Sequence, residues 1–350
     1  MQALLGILFH FTGGFASGSF YIPYKKVKGW AWETFWIVGG FFSWLLVPIF
    51  AAWITVPDFI SIIKQTDSTT FFATYILGTL WGIGGLTFGL ALRYLGISLG
   101  QSVALGLTSI FGALIPPIYR DLFTDGTGVT FTKMVTSTGG QVVLFGILIC
   151  LIGIVICGKA GMKKEKDLSV KHEKDNVKEF STSKGLLVAI FAGILSACFN
   201  FGIEAGKPMA EIALQNGTNS LFQNNVIFVV ILLGGLTTNF IWCMILNARN
   251  KTFGDYANTK TPLAKNYIFS ALAGTTWYLQ FFFYGMGESK LGNGASSWIL
   301  HMAFIILVSN MWGLILGEWK GVSKSTLKTI IAGIAVIILS VIIVGYGNSL

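Results

Sequence analysis

Long apolar runs alternate with short polar breaks along the whole chain. Ten runs are long enough to cross about 30 Å of hydrocarbon as helices rising 1.5 Å per residue. They cover roughly 3–24, 34–56, 70–93, 98–119, 139–158, 185–206, 220–247, 266–287, 292–316 and 326–346. Pro116 and Pro117 sit inside the fourth run, where the missing backbone donors should bend the helix near its end. The one extended polar stretch is 159–184, with Lys163, Lys164, Glu165, Lys166 and Asp167. It reads as a linker between 1–158 and 185–350, each holding five runs. The pattern predicts an all-α membrane protein with ten transmembrane helices.

Composition points the same way. The chain is 53% hydrophobic and only 11% charged, where a soluble protein carries about a quarter charged residues. Its mean hydropathy is +0.71. A net charge of +9 raises nucleic acid as a partner, but the lysines lie in breaks between the runs. A lipid bilayer is the expected partner, and nucleic acid is not. Cys150, Cys157, Cys198 and Cys243 all fall inside apolar runs without a C-x-x-C, as small core residues do. Residues 1–11 lack a basic start, so no cleavable signal peptide is expected.

Charge also orients the chain. Breaks on one side, 159–184 among them, carry 19 of the 24 Lys and Arg; the other side has Lys64, Arg120, Lys133, Lys207 and Lys290. The basic side should be cytoplasmic, leaving both termini extracytoplasmic.

Five runs per half places the second half upside down relative to the first, and internal matches support a duplication. Gly78 to Trp81 (G-T-L-W) matches Gly274 to Trp277 (G-T-T-W), Gly89 matches Gly285, and Leu95-Gly96 matches Leu291-Gly292, all at one offset of 196. Gly14, Ser17 and Phe20 match Gly193, Ser196 and Phe199 at an offset of 179. Two inverted five-helix repeats suggest a carrier with its site near the midplane, between the halves.

The segment 274–301 concentrates the candidate chemistry. An aromatic run, a tight turn with Gly and Lys, and a second apolar run bring Trp277, Gln280, Tyr284 and His301 into the bilayer. Polar groups at that depth must face protein or a water-filled cavity. His10, Trp81, Trp277 and His301 reach similar depth from four helices, with Gln280 one turn outward of Trp277. The alternatives are lipid-facing or packing tryptophans and hydrogen-bonded, helix-packing histidines. An imidazole that titrates near neutral pH is also a proton-coupling candidate. Asn200 and Glu204, four apart, share a face toward the outer end of the sixth run. Glu204 either lines the vestibule and couples protons, or is an interfacial carboxylate beside Lys207. Gln101 either lines the inward cavity or bonds a neighbouring helix. Glu33 opens the second run beside Lys25, Lys26 and Lys28, as a helix-start acid or as a proton exit.

No Walker loop, H-E-x-x-H or G-x-S-x-G occurs, so no enzyme, ATP-driven pump, cofactor or metal site is expected. His10, His172 and His301 are too dispersed to form a metal cluster. The Gly39-Gly40 and Gly234-Gly235 pairs read as close helix contacts.

Several motifs resemble the L-rhamnose–proton symporter family of the drug/metabolite transporter superfamily. They are Y-I-P-Y-K-K-V-K-G-W-A-W-E-T-F-W (21–36), W-G-I-G (81–84), R-Y-L-G-I-S-L-G (93–100), A-G-K-P-M (205–209), W-Y-L-Q-F-F-F-Y (277–284) and S-W-I-L-H-M (297–302). The resemblance implies ten helices, external termini, a bacterial inner-membrane location and proton-driven uptake of L-rhamnose or a similar monosaccharide. It also implies that His10, Glu33, Trp277, Gln280 and His301 are functional. The chain departs from the family pattern at Gly85 and Glu204, where the family carries Asn; these positions bear on the exact sugar and coupling ion. Chemistry fits a deoxyhexose, with hydroxyls meeting Gln280, His10 and His301 and an apolar face meeting Trp277 or Trp81. Export of drugs or amino acids, and a non-transporting scaffold or enzyme, are the other readings.

Overall fold

The structure is a computed structural model. It describes residues 1–350 except 96, 124–127, 170–181 and 318, and leaves out the side chains of 92, 93, 95, 97–102, 169, 182 and 183. Backbone polar groups in hydrocarbon must be satisfied within their own segment, and the apolar runs accordingly fold as helices. The long ones are α1 (Gln2–Ser19), α2 (Trp32–Thr55), α3 (Ser68–Leu95), α4 (Ile97–Phe123), α5 (Thr138–Ser169), α6 (Thr182–Ala205), α7 (Asn225–Asn250), α8 (Leu263–Leu291), α9 (Gly294–Ile315) and α10 (Lys324–Gly347). Among the described residues there is no strand.

Nine helices among the described residues are long and apolar enough to cross a membrane, one fewer than expected. The exception is α8. It is 29 residues long, but Thr275, Thr276, Trp277, Tyr278 and Gln280 lower its apolar character. The helix that carries the most candidate chemistry is therefore the least lipid-like.

Three further differences appear. The expected linker begins later, because α5 runs on to Ser169 and makes 159–169 helical. Helix α4, with Pro116 and Pro117 inside it, ends at Phe123 and not at 119. Short helices at Phe59–Gln65, Phe131–Thr136 and Lys207–Gln215 lie in the breaks between the runs. Lys207–Gln215 has proline in its first turn, where the lost N–H was unbonded anyway.

The α8–α9 turn shows how local sequence sets the site. Gly292 adopts φ +63° and donates its N–H to the Glu288 carbonyl, closing α8. Asn293 then accepts from the Ser296 N–H and starts α9.

Outward faces carry apolar stripes at helical spacing, such as Phe145, Leu148, Ile152 and Val155 on α5. An apolar surface of this extent suits lipid and not water. Inside, α1 packs on α8 and α9, α6 packs on α3 and α4, α2 lies against α8, α7 lies against α3, and α5 pairs with α10. Two glycine crossings bring backbones into contact. A Cβ at Gly274 would be driven into the Gly39 carbonyl, and one at Gly78 into the Ile231 carbonyl. The glycine pairs Gly39-Gly40 and Gly234-Gly235 lie at these crossings, as expected.

Candidate functional site

Three groups of side chains meet between the helices. The first is a histidine pair. His10 on α1 and His301 on α9 are both fully buried, with ring centroids 6.2 Å apart. Tyr284 on α8 lies edge-on to each ring at 5.3 Å. None of the four imidazole nitrogens has a hydrogen-bond partner among the described residues. A buried polar group left unbonded costs about 1–3 kcal/mol. Packing alone does not account for two such rings side by side. Small neighbours make the room: a Cβ at Gly287 would lie 2.7 Å from His10 Nε2.

A tether stands beside the pair. The Tyr284 hydroxyl donates to Asn200 Oδ1 at 3.1 Å, and Asn200 Nδ2 donates to the Gly112 carbonyl at 2.7 Å. Asn200 is buried with both ends of its amide engaged. Asn200 and Tyr284, both candidates for contact with a substrate, bond each other here and link α8, α6 and α4. They hold the wall on which the histidines rest.

The second group is aromatic. Trp81 on α3 and Trp277 on α8 lie 5.7 Å apart at an interplanar angle of 33°. Trp44 on α2 stands nearly perpendicular to both, at 82° and 87°. Phe281 packs edge-on against Trp277 at 5.0 Å and lies 6.3 Å from His301, which joins this cluster to the histidines. Gln280 is buried, and its Nε2 donates to the Trp277 carbonyl at 2.9 Å. The side chain of Gln101 lies outside the described residues.

The third group is a charged cluster at the Arg120, Glu204 and Glu288 ends of α4, α6 and α8. Glu204 pairs with Arg120 and with Lys207 at 2.9 Å. Lys207 reaches toward Glu288 at 3.9 Å, and Glu288 accepts from Asn224 Nδ2 at 2.7 Å. Glu204 is thus a paired carboxylate beside Lys207. Glu288 is absent from the residues expected above. The apolar run ends at 287, which makes Glu288 look like a loop charge. Carrying the helical register one turn past Tyr284 would have put it on the same buried face.

Glu33 lies at another end of the bundle. It accepts from Asn250 Nδ2 at 2.9 Å and Thr252 Oγ1 at 2.8 Å, tying the start of α2 to the end of α7. The structure does not bring Glu33 and the histidines together. Among the described residues no group of His, Cys, Asp and Glu is set to hold a metal ion.

An apolar helical shell around buried imidazoles, indoles and an amide defines a multi-pass membrane protein with an internal polar site. Comparison with known proteins narrows this class. Residues 1–349 match the profile of the L-rhamnose-proton symport protein family. The chain is 40% identical to the L-rhamnose-proton symporter of Pectobacterium atrosepticum, over 98% of each chain. It is 38% identical to those of Pectobacterium carotovorum and Yersinia pestis, again over 98% of each. The chain belongs to the L-rhamnose–proton symport protein family, a family of transporters and not of enzymes. A solved crystal structure that covers 95% of this chain and 96% of its own superposes with a TM-score of 0.52 at 14% identity, a likeness of fold alone.

Proposed function

We propose that this protein takes up L-rhamnose together with protons across a bacterial inner membrane by alternating access. Membership of a symporter family, matched over nearly the whole chain, carries the sugar and the proton. Ten spanning helices in two inverted repeats, 1–158 and 185–350, carry the alternation. The exchange of partners between halves supports this arrangement. Helix α1 packs on α8 and α9 just as α6 packs on α3 and α4, α2 meets α8 as α7 meets α3, and α5 pairs with α10. The glycine crossings repeat the same relation, Gly39 with Gly274 and Gly234 with Gly78. In this arrangement α8 spans despite its polarity, because its polar residues face the interior.

In this reading Trp81, Trp277 and Gln280 hold the sugar. The indoles take its apolar face and methyl group, and the amide pairs hydroxyls. His10 and His301 carry the coupled proton, while Asn200 and Tyr284 fix their surroundings. Purified protein in vesicles should accumulate radiolabelled L-rhamnose under an imposed pH gradient and lose it when an uncoupler is added. Accumulation that ignores the gradient, or that favours amino acids over the sugar, overturns the proposal. Replacing Gln280 with Ala should weaken sugar binding by about 1–3 kcal/mol, roughly five- to a hundredfold.

Both termini are extracytoplasmic in this topology, and the basic break from 159 is cytoplasmic. A cysteine introduced at Lys163 should resist membrane-impermeant maleimide in intact cells and react in inverted vesicles. Labelling from outside in intact cells would reverse the orientation.

A further inference from the structure

Trp44 differs from the other two members of the tryptophan cluster. It is only 4% exposed, and its Nε1 has no hydrogen-bond partner among the described residues. Three other indoles are bonded within the protein: Trp36 Nε1 donates to Asn239 Oδ1 at 3.1 Å, Trp298 Nε1 to the Thr108 carbonyl at 3.0 Å, and Trp312 Nε1 to Ser19 Oγ at 2.8 Å. Trp30 shares the unpartnered state, but it lies before α2, against Tyr256 and Tyr267 and away from the cluster.

The chain is also locally rebuilt around this ring. Helix α2 widens into a π turn over Phe42–Leu46, with the Val47 N–H donating to the Phe42 carbonyl five residues back. Such turns are rare and occur mainly where a side chain must be placed for function. One turn earlier, a Cβ at Gly40 would overlap the Trp44 ring. Trp44 thus stands edge-to-face with Trp81 and Trp277, its indole N–H without a partner among the described residues.

We propose that Trp44 contacts the transported sugar, donating its indole N–H to one hydroxyl oxygen, and that it selects for a hydroxyl at that position. This rests on the reading that Trp81, Trp277 and Gln280 line the sugar site. A hydroxyl oxygen supplies the missing acceptor, while the two facing indoles cover the C–H surface beside it. Hydrogen-bonding sites of this kind discriminate strongly against analogues that lack the partner group, because the buried donor is then left unpaired.

Trp44→Phe keeps an aromatic ring and removes only the donor and part of the indole's area. Equilibrium binding to purified protein should be measured for L-rhamnose and for its 2-, 3- and 4-deoxy analogues. The expected result is a loss of about five- to tenfold for L-rhamnose. The deoxy analogue that lacks the contacted hydroxyl should bind wild type and variant alike, a coupling of the kind that double-mutant cycles isolate. Unchanged affinity for L-rhamnose overturns the proposal. So does an equal loss for L-rhamnose and every analogue accompanied by a lowered Tm, which would mark Trp44 as a packing residue. Trp36→Phe serves as the control for removing a donor that is already bonded to protein. Gln280→Ala reports separately on the site reading: wild-type affinity there removes Gln280 from the site, while the Trp44 cycle still stands or falls on its own pattern.

Discussion

Replacing Gly274 with alanine should leave little correctly folded protein in the membrane. At this crossing the backbone of α8 lies on that of α2, and a Cβ would run into the Gly39 carbonyl, with the Gly39 Cα only 3.0 Å away. Neither obstacle is the end of a flexible side chain, so one helix must move. Overpacking in a tight interior costs about 1–3 kcal/mol when side chains can adjust; here the backbone itself must shift, which places the loss at or above the top of that range. Gly85 provides the contrast, since a Cβ there meets nothing within 4 Å. Thermal denaturation in detergent, read by monodispersity, should show Gly85→Ala close to wild type and Gly274→Ala strongly lowered. Equal behaviour of the two variants would show that α2 and α8 can part at this crossing without loss.

The second large effect concerns coupling. His10→Gln or His301→Gln should abolish accumulation of sugar against its gradient, while exchange of labelled for unlabelled sugar persists. Glutamine retains a donor and an acceptor but cannot take up a proton, so binding and translocation can survive the loss of coupling. The two rings lie 6.2 Å apart, and two cations at that distance in a poorly screened interior repel strongly. The pair is therefore suited to a single proton, and losing either imidazole removes the arrangement that shares it. Should both variants still concentrate sugar in a pH-driven manner, the histidines are packing residues and Glu204 or Glu288 becomes the better candidate.

The helices were legible because lipid imposes a simple rule: every spanning segment must be long, apolar and internally bonded. That rule weakened for α8, whose inward side chains dilute its apolar signal, and at 159–169, where a charged but helical extension of α5 looks like linker. The fixed rise per residue set a common expected depth for His10, Trp81, Trp277, Gln280 and His301, and the structure brings His10 to His301 and Trp81 to Trp277. That rise gave no angle about each helix axis. The bonds of Asn200 to Tyr284 and to Gly112 were therefore not legible from its position in the run. Trp44 carried no signal at all, since the π turn that aims it is a backbone event within an unremarkable run of apolar residues.

The charged cluster has an electrical consequence. Arg120, Lys207, Glu204 and Glu288 supply two positive and two negative charges when both carboxylates are ionised, on helices α4, α6 and α8 and the short helix at Lys207. Displacing the cluster as one unit would therefore move no net charge through the membrane field. Each uncompensated elementary charge would add about 2.3 kcal/mol per 100 mV of membrane potential. A rearrangement that keeps the cluster intact would thus be insensitive to the potential.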